Sequence, residues 1–169
     1  MEDSDSVALI ITGGTFDKAY DSIRGELTLS RTHLPEILTM VGCSVTVRPE
    51  VQLLKDSLDM VREDRIKIAR ACEKAAERRI IVTHGTDTMT QTARTVADIV
   101  HDKTVVFTGA MIPFSVNGSD ALFNLGGALT AVQCMPAGVY VVMNGKVFPA
   151  NTVKKNRNSG KFEEETHGE

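Results

Sequence analysis

The sequence predicts an α/β domain whose mostly parallel sheet is covered by helices on both faces. The first observation is a series of short, β-branched runs that are apolar throughout, as expected of strands buried on both sides. The second is that segments with helical spacing separate these runs, which gives the order β-α-β-α-β-α-β-α-β. With right-handed crossovers, this order forms a doubly wound, three-layer domain of the flavodoxin or Rossmann type. A chain of 169 residues corresponds to a single domain of this kind.

Each element is predicted from its own local pattern. The strands are apolar runs bounded by Gly, Thr or Asn turns, and they cover residues 7–11, 44–48, 79–83, 104–107 and 138–143. The helices have an apolar stripe or polar capping residues at their ends, and they cover residues 34–40, 56–76, 86–100 and 120–132. No internal repeat is visible, so these elements are expected to form one unit.

Two stretches do not fit the alternation. Residues 12–30 are rich in Gly and Asp and are predicted as a long loop, with a short hairpin around residues 25–29. Loops of this length in a compact domain are usually functional or disordered. Residues 156–169 are polar and charged and are predicted as a solvated tail, which leaves residues 1–155 as the folded domain.

Composition excludes several classes of protein. The chain is 42% hydrophobic and 24% charged with a net charge of −3, which excludes a disordered protein and a basic surface for nucleic acid or anionic membranes. The acidic N-terminus does not have the positive start of a secretory signal, and residues 7–11 are too short to span a bilayer. These features predict a soluble, cytoplasmic protein.

Cysteine and histidine spacing gives no indication of a metal site. The three cysteines are far apart and odd in number, which is typical of reduced thiols and not of a disulfide framework or a zinc site. The histidines likewise lack ligand spacing and are predicted as surface or packing residues; they are His33, His84, His101 and His167.

Three predicted strands end in turns that combine Gly with Thr. These turns are residues 12–15 (TGGT), 84–87 (HGTD) and 108–110 (TGA). Ligands of doubly wound sheets bind at the carboxyl ends of the strands, so the turns should bring hydroxyls, backbone N–H groups and one carboxylate to the same edge. The alternative is that they are ordinary βα turns in which Thr and Asp cap helices.

Other common sites are a poor match. A dinucleotide site needs G-x-G-x-x-G leading directly into a helix, whereas here the two glycines are adjacent and a long loop follows. Neither a P-loop nor a G-x-S-x-G nucleophile motif occurs. The remaining type of site is one in which a hydroxyl is the nucleophile. A Thr nucleophile needs a neighbouring base or a neutral Lys. Four lysines near the C-terminus are candidates, and the residues alone do not choose among them: Lys146, Lys154, Lys155 and Lys161.

The turns together resemble the amino-terminal domain of the L-asparaginase/glutaminase family of amidohydrolases. The matching segments occur in family order between about residues 7 and 155, and the HGTDTM block is the most specific of them. They are residues 11–15, 56–60, 82–89, 107–113, 119–120 with 124–125, and 141–144. The chain stops where most family members begin a second, smaller domain, so the resemblance implies a short-chain form without that domain.

The resemblance also implies catalytic roles. Thr15 is similar to the family's nucleophile, and Tyr20 to the tyrosine that activates it from a loop that closes over substrate. Thr86, Asp87 and Lys155 resemble the family's second constellation, with Lys154 as the adjacent alternative. Lys155 can act as a base only when neutral, which burial favours and Asp87 opposes. The sequence Phe-Asp-Lys that follows Thr15 replaces a small or Gly-rich segment, which restricts this loop.

The resemblance further implies how a free amino acid is held. Ser57 resembles the contact to the α-carboxylate, Asp87 the contact to the α-ammonium, and the Thr86 N–H an oxyanion donor. Ser57 and Asp87 could instead serve only as helix-capping groups. Leu58 stands where the family commonly has Gln, which weakens ammonium binding. The full substrate-binding set implied is Gly14, Ser57, Leu58, Gly85, Thr86, Asp87 and Ala110.

The function implied is hydrolysis of L-asparagine to L-aspartate and ammonia through an acyl-threonine, without cofactor or metal. L-Glutamine should be a weaker substrate because its extra methylene displaces the reacting carbonyl. A homo-oligomer, dimer or tetramer, is expected to replace the contacts of the second domain. Two alternatives stay open: a non-catalytic amino-acid-binding or regulatory domain, and a subunit of an amidotransferase or peptide amidase.

Overall fold

The structure, a computed structural model, describes residues 5–165. In chain order the helices and strands are β1 (Val7–Gly13), β2 (Ala19–Asp21), β3 (Glu26–Thr28), α1 (Leu34–Met40), β4 (Val47–Lys55), α2 (Arg62–Lys74), β5 (Arg79–Thr83), α3 (Met89–Ala97), β6 (Thr104–Thr108), α4 (Ala121–Cys134), β7 (Gly138–Met143), β8 (Lys146–Pro149), β9 (Val153–Asn156) and β10 (Lys161–Glu164). Two short 3-10 turns, Thr15–Asp17 and Ser57–Asp59, follow β1 and β4.

A six-stranded sheet in the order β4-β1-β5-β6-β7-β8 forms the centre of the domain. Its first five strands are parallel, and β8 pairs antiparallel with β7 at the far edge. The chain goes outward from β1 to β4 and then returns to β5 on the other side of β1. This reversal is the switch point of the flavodoxin-type order, where ligands of such sheets bind. The predicted fold class is confirmed.

Helices cover both faces of the sheet. Successive side chains of a strand point to opposite faces, so each central strand contributes to two cores. Ala8 and Ile10 of β1 face a core formed with α2 and α3. Val7, Leu9 and Ile11 face a second core formed with α1 and α4. Every residue of β1 is buried, so the apolar runs are explained by burial on both faces.

The predicted position of the second strand is wrong, because this strand does not have the apolar composition used to find the others. Residues 44–48 were expected to form it, but β4 covers Val47–Lys55. It is an edge strand that pairs only with β1, and much of it is exposed, so it carries charges instead of an apolar run. Pro49 is tolerated there because an edge strand has one side without ladder hydrogen bonds.

Two predicted helices are shorter than expected at their N-terminal ends. The segment 56–76 begins with the turn Ser57–Asp59, in which Asp56 Oδ1 accepts a hydrogen bond from Leu58 N (3.0 Å), before α2 starts. The segment 86–100 begins with an irregular turn, and α3 starts only at Met89. In both places the residues ahead of the helix are those predicted to contact substrate.

The prediction of a solvated tail is wrong for residues 161–164. This segment forms β10, which pairs antiparallel with β9, and Phe162 packs into the core. Glu165 reaches Arg94 of α3 (2.9 Å between Oε1 and the guanidinium). Val153 of β9 and Phe162 of β10 are both buried in this core, so each strand of the hairpin packs against the domain. Residues 166–169 lie outside the described part.

The remaining predictions concern the long loop, the thiols and the membrane. Within residues 12–30, β2 and β3 form a short antiparallel hairpin, in agreement with the expected one. The three cysteines are free thiols, as predicted. In residues 5–165, no helix combines the length and the apolar character that crossing a bilayer requires.

Candidate active site

The turns after β1 and β5 touch each other at the switch point. Gly14 has a φ of 83°, and a Cβ at this position would overlap the backbone nitrogen of Gly85. The Gly14 N–H donates to the carbonyl of Lys55 (3.0 Å), which ties the same turn to the end of β4. Only glycine permits this approach, so the TGGT and HGTD segments are brought together by their glycines.

A lysine, a threonine and an aspartate form a compact cluster beside this contact. Lys155 Nζ donates to Thr86 Oγ1 and to Asp87 Oδ1, both at 2.8 Å. The Lys155 side chain is only 10% exposed, and Asp87 is more open to solvent. Lys155 comes from β9, so the hairpin β9–β10 brings a cation to the carboxyl ends of the parallel strands.

The strand register distinguishes Lys155 from Lys154. Successive side chains of a strand point to opposite sides, and Lys154 lies on the outer side of β9, where its Nζ is 3.6 Å from Glu163 Oε1. The two lysines were equivalent in sequence. The structure brings Lys155, and not Lys154, to Thr86.

Thr15 begins the 3-10 turn that directly follows Gly14, and it is half-buried. Among residues 5–165 its hydroxyl has no hydrogen-bond partner, so it is available to a ligand. Tyr20 is different: it lies on β2 with 66% of its surface exposed, and within the same residues its hydroxyl is unpaired. The structure therefore leaves most of the Tyr20 side chain open to solvent.

Ser57 lies against the HGTD turn. A Cβ on Gly85 would come within 2.7 Å of the Ser57 hydroxyl oxygen, and that oxygen accepts a long hydrogen bond from Thr88 N (3.4 Å). The Thr88 hydroxyl donates to the Ser57 carbonyl (2.8 Å). Leu58, the next residue, is 63% exposed, so its side chain lies at the surface.

Ala110, the last of the expected binding residues, is buried in the turn that follows β6. The neighbouring Gly109 carbonyl accepts from the Asn124 amide (2.9 Å), and Asn124 Oδ1 accepts from Asn144 N (3.0 Å). Asn124 therefore joins the tips of β6 and β7 and holds the third turn in place.

His84 supports the HGTD turn from inside the core, and sequence reasoning did not single it out. Its Nδ1 lies 2.7 Å from the Gly85 carbonyl and its Nε2 lies 2.7 Å from the Thr92 hydroxyl. Complete burial lowers the pKa of His84 to about 4, so the ring is neutral at pH 7. A carbonyl can only accept, so we assign the ring proton to Nδ1 and let Thr92 donate to Nε2. His84 is among the histidines predicted as surface or packing residues, and its complete burial agrees with the second of these alternatives.

The arrangement of side chains at this edge is suited to acyl transfer. In the part of the chain that the structure covers, no three His, Cys, Asp or Glu residues are placed to hold a metal. The site instead combines an unpaired hydroxyl (Thr15), a hydroxyl bonded to an ammonium (Thr86) and a carboxylate (Asp87). Such a set can supply a nucleophile, a route for protons and a contact for a cationic ligand.

Comparisons with known proteins agree with this geometry. The family model described as "Asparaginase, N-terminal" matches residues 6–166. A glutaminase-asparaginase of Acinetobacter glutaminasificans is 29% identical over 171 residues, covering 90% of this chain and 50% of the relative. An L-asparaginase of Bacillus licheniformis is 33% identical over 160 residues, covering 88% and 49%. The solved structure of the thermostable L-asparaginase from Thermococcus kodakarensis superposes with a TM-score of 0.79 at 27% identity, covering 94% of this chain and 51% of that one.

The chain thus spans about half the length of the curated relatives it matches. The part matched is the one that the family model describes as N-terminal, and the sheet, its order and the Gly-Thr turns lie within it. The chain belongs to the asparaginase family and corresponds to its N-terminal domain.

Proposed function

We propose that this chain is an amidohydrolase that converts L-asparagine to L-aspartate and ammonia through an acyl-threonine intermediate. The observation that supports it most strongly is the Lys155 ammonium, 2.8 Å from both Thr86 Oγ1 and Asp87 Oδ1, beside the contact of Gly14 with Gly85. An ammonium held between a hydroxyl and a carboxylate at this edge of the sheet is placed to move protons for a bound substrate.

Thr15 is proposed as the nucleophile because its hydroxyl is half-buried and unengaged among the described residues. Its oxygen forms a bond to the side-chain carbonyl carbon of asparagine once the hairpin β2–β3 folds over the substrate. The Tyr20 phenol oxygen accepts the Thr15 proton as the phenol passes its own proton on to the leaving nitrogen. The Thr86 N–H stabilises the resulting oxyanion. The intermediate then breaks its C–N bond, and the leaving nitrogen takes up one proton and departs as ammonia.

Thr86 and Lys155 serve the second half of the reaction. A water molecule held by the Thr86 hydroxyl attacks the acyl-threonine ester. Its proton passes to Thr86 Oγ1, the Thr86 hydroxyl proton passes to Lys155 Nζ, and Lys155 gives one of its own protons to Asp87 Oδ1, so the ammonium is restored and the carboxylate holds the proton. Cleavage of the ester releases L-aspartate, and the Thr15 oxygen regains its proton. One water is consumed for each ammonia released, so the cycle needs no cofactor.

The substrate is proposed to bind between Asp87, which holds its α-ammonium, and Ser57, which holds its α-carboxylate. Asp87 Oδ1 is engaged by Lys155, and Oδ2 of this partly exposed side chain is left for the α-ammonium of the substrate. Ser57 and the backbone groups of Gly14, Gly85 and Ala110 surround the remaining ligand atoms, with the α-carboxylate at Ser57. L-Glutamine is a weaker substrate in this proposal because one methylene displaces its carbonyl from Thr15.

The protein is also proposed to be a cytoplasmic homo-oligomer, a dimer or a tetramer. Helix α4 contains no charged residue, and its Phe123 is 65% exposed beside a groove of about 710 Å³ that Leu122 and Val147 help to line. Contiguous exposed apolar surface of this kind is typical of contacts between proteins. A second copy of the chain is the proposed occupant of this face.

The test is an ammonia-release assay on the purified chain with L-asparagine and with L-glutamine. Thr15→Ala and Thr86→Ala should each abolish release, whereas Thr95→Ala should not, since the Thr95 hydroxyl bonds only within its own helix. Full activity in both site variants would contradict the assignment.

One alternative is supported by a specific observation. Tyr20 is turned to solvent and Leu58 replaces the glutamine common in the family, so a domain that binds an amino acid without hydrolysing it is the second candidate. Calorimetric binding of L-aspartate or L-asparagine together with no ammonia over hours would favour that function.

A further inference from the structure

An ion pair joins the turn that carries Thr15 to the segment that carries Ser57. Lys18 Nζ lies 2.6 Å from Asp56 Oδ2, and the two side chains are only 23% and 31% exposed. We propose that Lys18 and Asp56 form a positioning clamp that fixes Thr15 relative to the carboxylate-binding end of the site. The roles of Thr15 and Ser57 in this proposal rest on the function proposed above.

The two residues meet because β1 and β4 are neighbouring parallel strands. Gly13 of β1 is in register with Lys55 of β4, so both strands end at the same level of the sheet. A turn follows each of the two strands, and the side chains of Lys18 and Asp56 reach across the gap between these turns. The clamp therefore spans the outer side of the switch point, opposite the contact of Gly14 with Gly85.

Asp56 is held in one orientation. Its Oδ1 accepts from Leu58 N (3.0 Å) while its Oδ2 accepts from Lys18. The Lys18 ammonium is the largest cause that lowers the pKa of Asp56 below its usual value, so this carboxyl is ionised at neutral pH. A carboxylate fixed by two donors defines a position for Lys18, not merely a charge near it.

The turn on the Lys18 side is anchored from behind as well. The Lys18 carbonyl accepts from the Ser115 hydroxyl (2.9 Å), and the Phe16 carbonyl accepts from Phe114 N (3.2 Å). Phe16 itself is completely buried. Thr15 therefore stands on a short turn held on one side by the loop at residues 114–115 and on the other by Asp56.

These contacts close a ring around the site. It runs from the Thr15 turn through Lys18 and Asp56 to Ser57, which touches Gly85, and from Gly85 through Gly14 back to Thr15. Breaking the ion pair removes the one link of this ring formed only by side chains, while the backbone hydrogen bond from Gly14 N to the Lys55 carbonyl remains. A displacement of about 1 Å between nucleophile and substrate can cost on the order of 100-fold in rate, so this link should influence kcat.

Lys18 has a second effect, on charge. Asp56 precedes Ser57, where the substrate α-carboxylate is proposed to bind, and Lys18 neutralises it. Without Lys18 the Asp56 carboxylate repels an anionic ligand group, which should raise KM. The geometric effect on kcat and the electrostatic effect on KM can therefore be separated by the choice of variant.

The experiment uses Lys18→Met, Asp56→Asn, their double variant and Lys18→Arg. Asn at position 56 keeps the acceptor for Leu58 N. We expect Lys18→Met to lower kcat about tenfold or more and to raise KM for L-asparagine several-fold, by loss of position and of neutralisation. Asp56→Asn should lower kcat and also lower KM, because the unpaired Lys18 ammonium attracts the substrate α-carboxylate. The double variant should show the kcat of either single variant, with KM restored, and Lys18→Arg should keep most of both parameters.

The matched control is Arg70→Met, which removes an ion pair of similar length (2.8 Å to Glu73) on the exposed face of α2. It should leave kcat and KM unchanged. Additive losses of kcat in the double variant, or wild-type kcat and KM in Lys18→Met, would overturn the clamp.

Amide hydrogen exchange supplies a readout that does not depend on activity. Residues 15–18 and 56–58 should exchange faster in Lys18→Met and Asp56→Asn than in the wild type, Lys18→Arg or Arg70→Met. Unchanged exchange in these segments would refute the clamp whatever the activity. If the wild-type chain releases no ammonia while exchange rises as expected, the proposed function fails and the clamp stands.

Discussion

Replacement of Lys155 by methionine removes the ammonium that contacts Thr86 and Asp87 and keeps most of the apolar stem. The lysine makes two hydrogen bonds of 2.8 Å, and its side chain is 10% exposed. The variant should fold, because an ion pair whose partner is open to solvent contributes about 1 kcal/mol or less. Activity should respond far more, since a positioned proton-transfer group supplies about 10²–10⁴-fold in rate.

The expected signature is a fall of kcat by about 10²–10⁴ with KM for L-asparagine changed only a few-fold, because Asp87 stays free to bind the ammonium. Steady-state ammonia release, with thermal unfolding as a check on folding, measures it. Lys154→Met is the control: that lysine lies on the other side of β9 near Glu163 and should keep kcat within about twofold. Full kcat in Lys155→Met, or equal losses in the two variants, would refute the assignment.

Three further predictions concern backbone, protonation and assembly. Gly14→Ala should abolish ammonia release and lower the melting temperature, because φ is 83° and the new Cβ would overlap the Gly85 nitrogen. Burial lowers the pKa of His84 from 6.5 to about 4, so the unfolded chain binds a proton at a higher pH than the folded chain does. The contribution of His84 to the free energy of unfolding is therefore largest above pH 6.5 and falls by about 3 kcal/mol as the pH drops from 6.5 towards 4. In denaturant unfolding, His84→Gln should show a flatter dependence of stability on pH between about 6.5 and 5, and a dependence equal to that of the wild type would contradict this. Phe123→Asp should reduce the particle mass in light scattering if α4 joins subunits, and an unchanged mass would exclude that face.

Much of the fold could be predicted from local patterns because burial on both faces leaves a clear record in composition. Strands β1, β5, β6 and β7 were found from their apolar runs, and α1 was predicted with the bounds observed. The edge strand β4 was displaced because an exposed strand does not need an apolar run. The hairpin β9–β10 was missed because its buried contacts come from two apolar residues, Val153 and Phe162, in an otherwise polar and charged stretch.

The site was predictable to a different degree for each residue. Thr86 and Asp87 follow a strand directly, and their place at the sheet edge follows from the fold class. The position of Lys155 depends on the pairing of β9 with β10, which no local pattern predicts. Tyr20 lies on the hairpin β2–β3 with 66% of its surface exposed, and its proposed role stays a prediction. The role of His84 as a brace was invisible in sequence, because a lone histidine carries no record of its partners.

The amino-acid sequence by itself determined a doubly wound sheet, the turns at its strand ends and the family to which those turns belong. Each of these depends on short-range chemistry: apolar periodicity, glycine conformation and the order of a few motifs. Only the tertiary structure decided which lysine reaches Thr86 and that Lys18 meets Asp56. Those contacts join residues far apart in the chain, and they are fixed by strand register and by the common level at which parallel strands end.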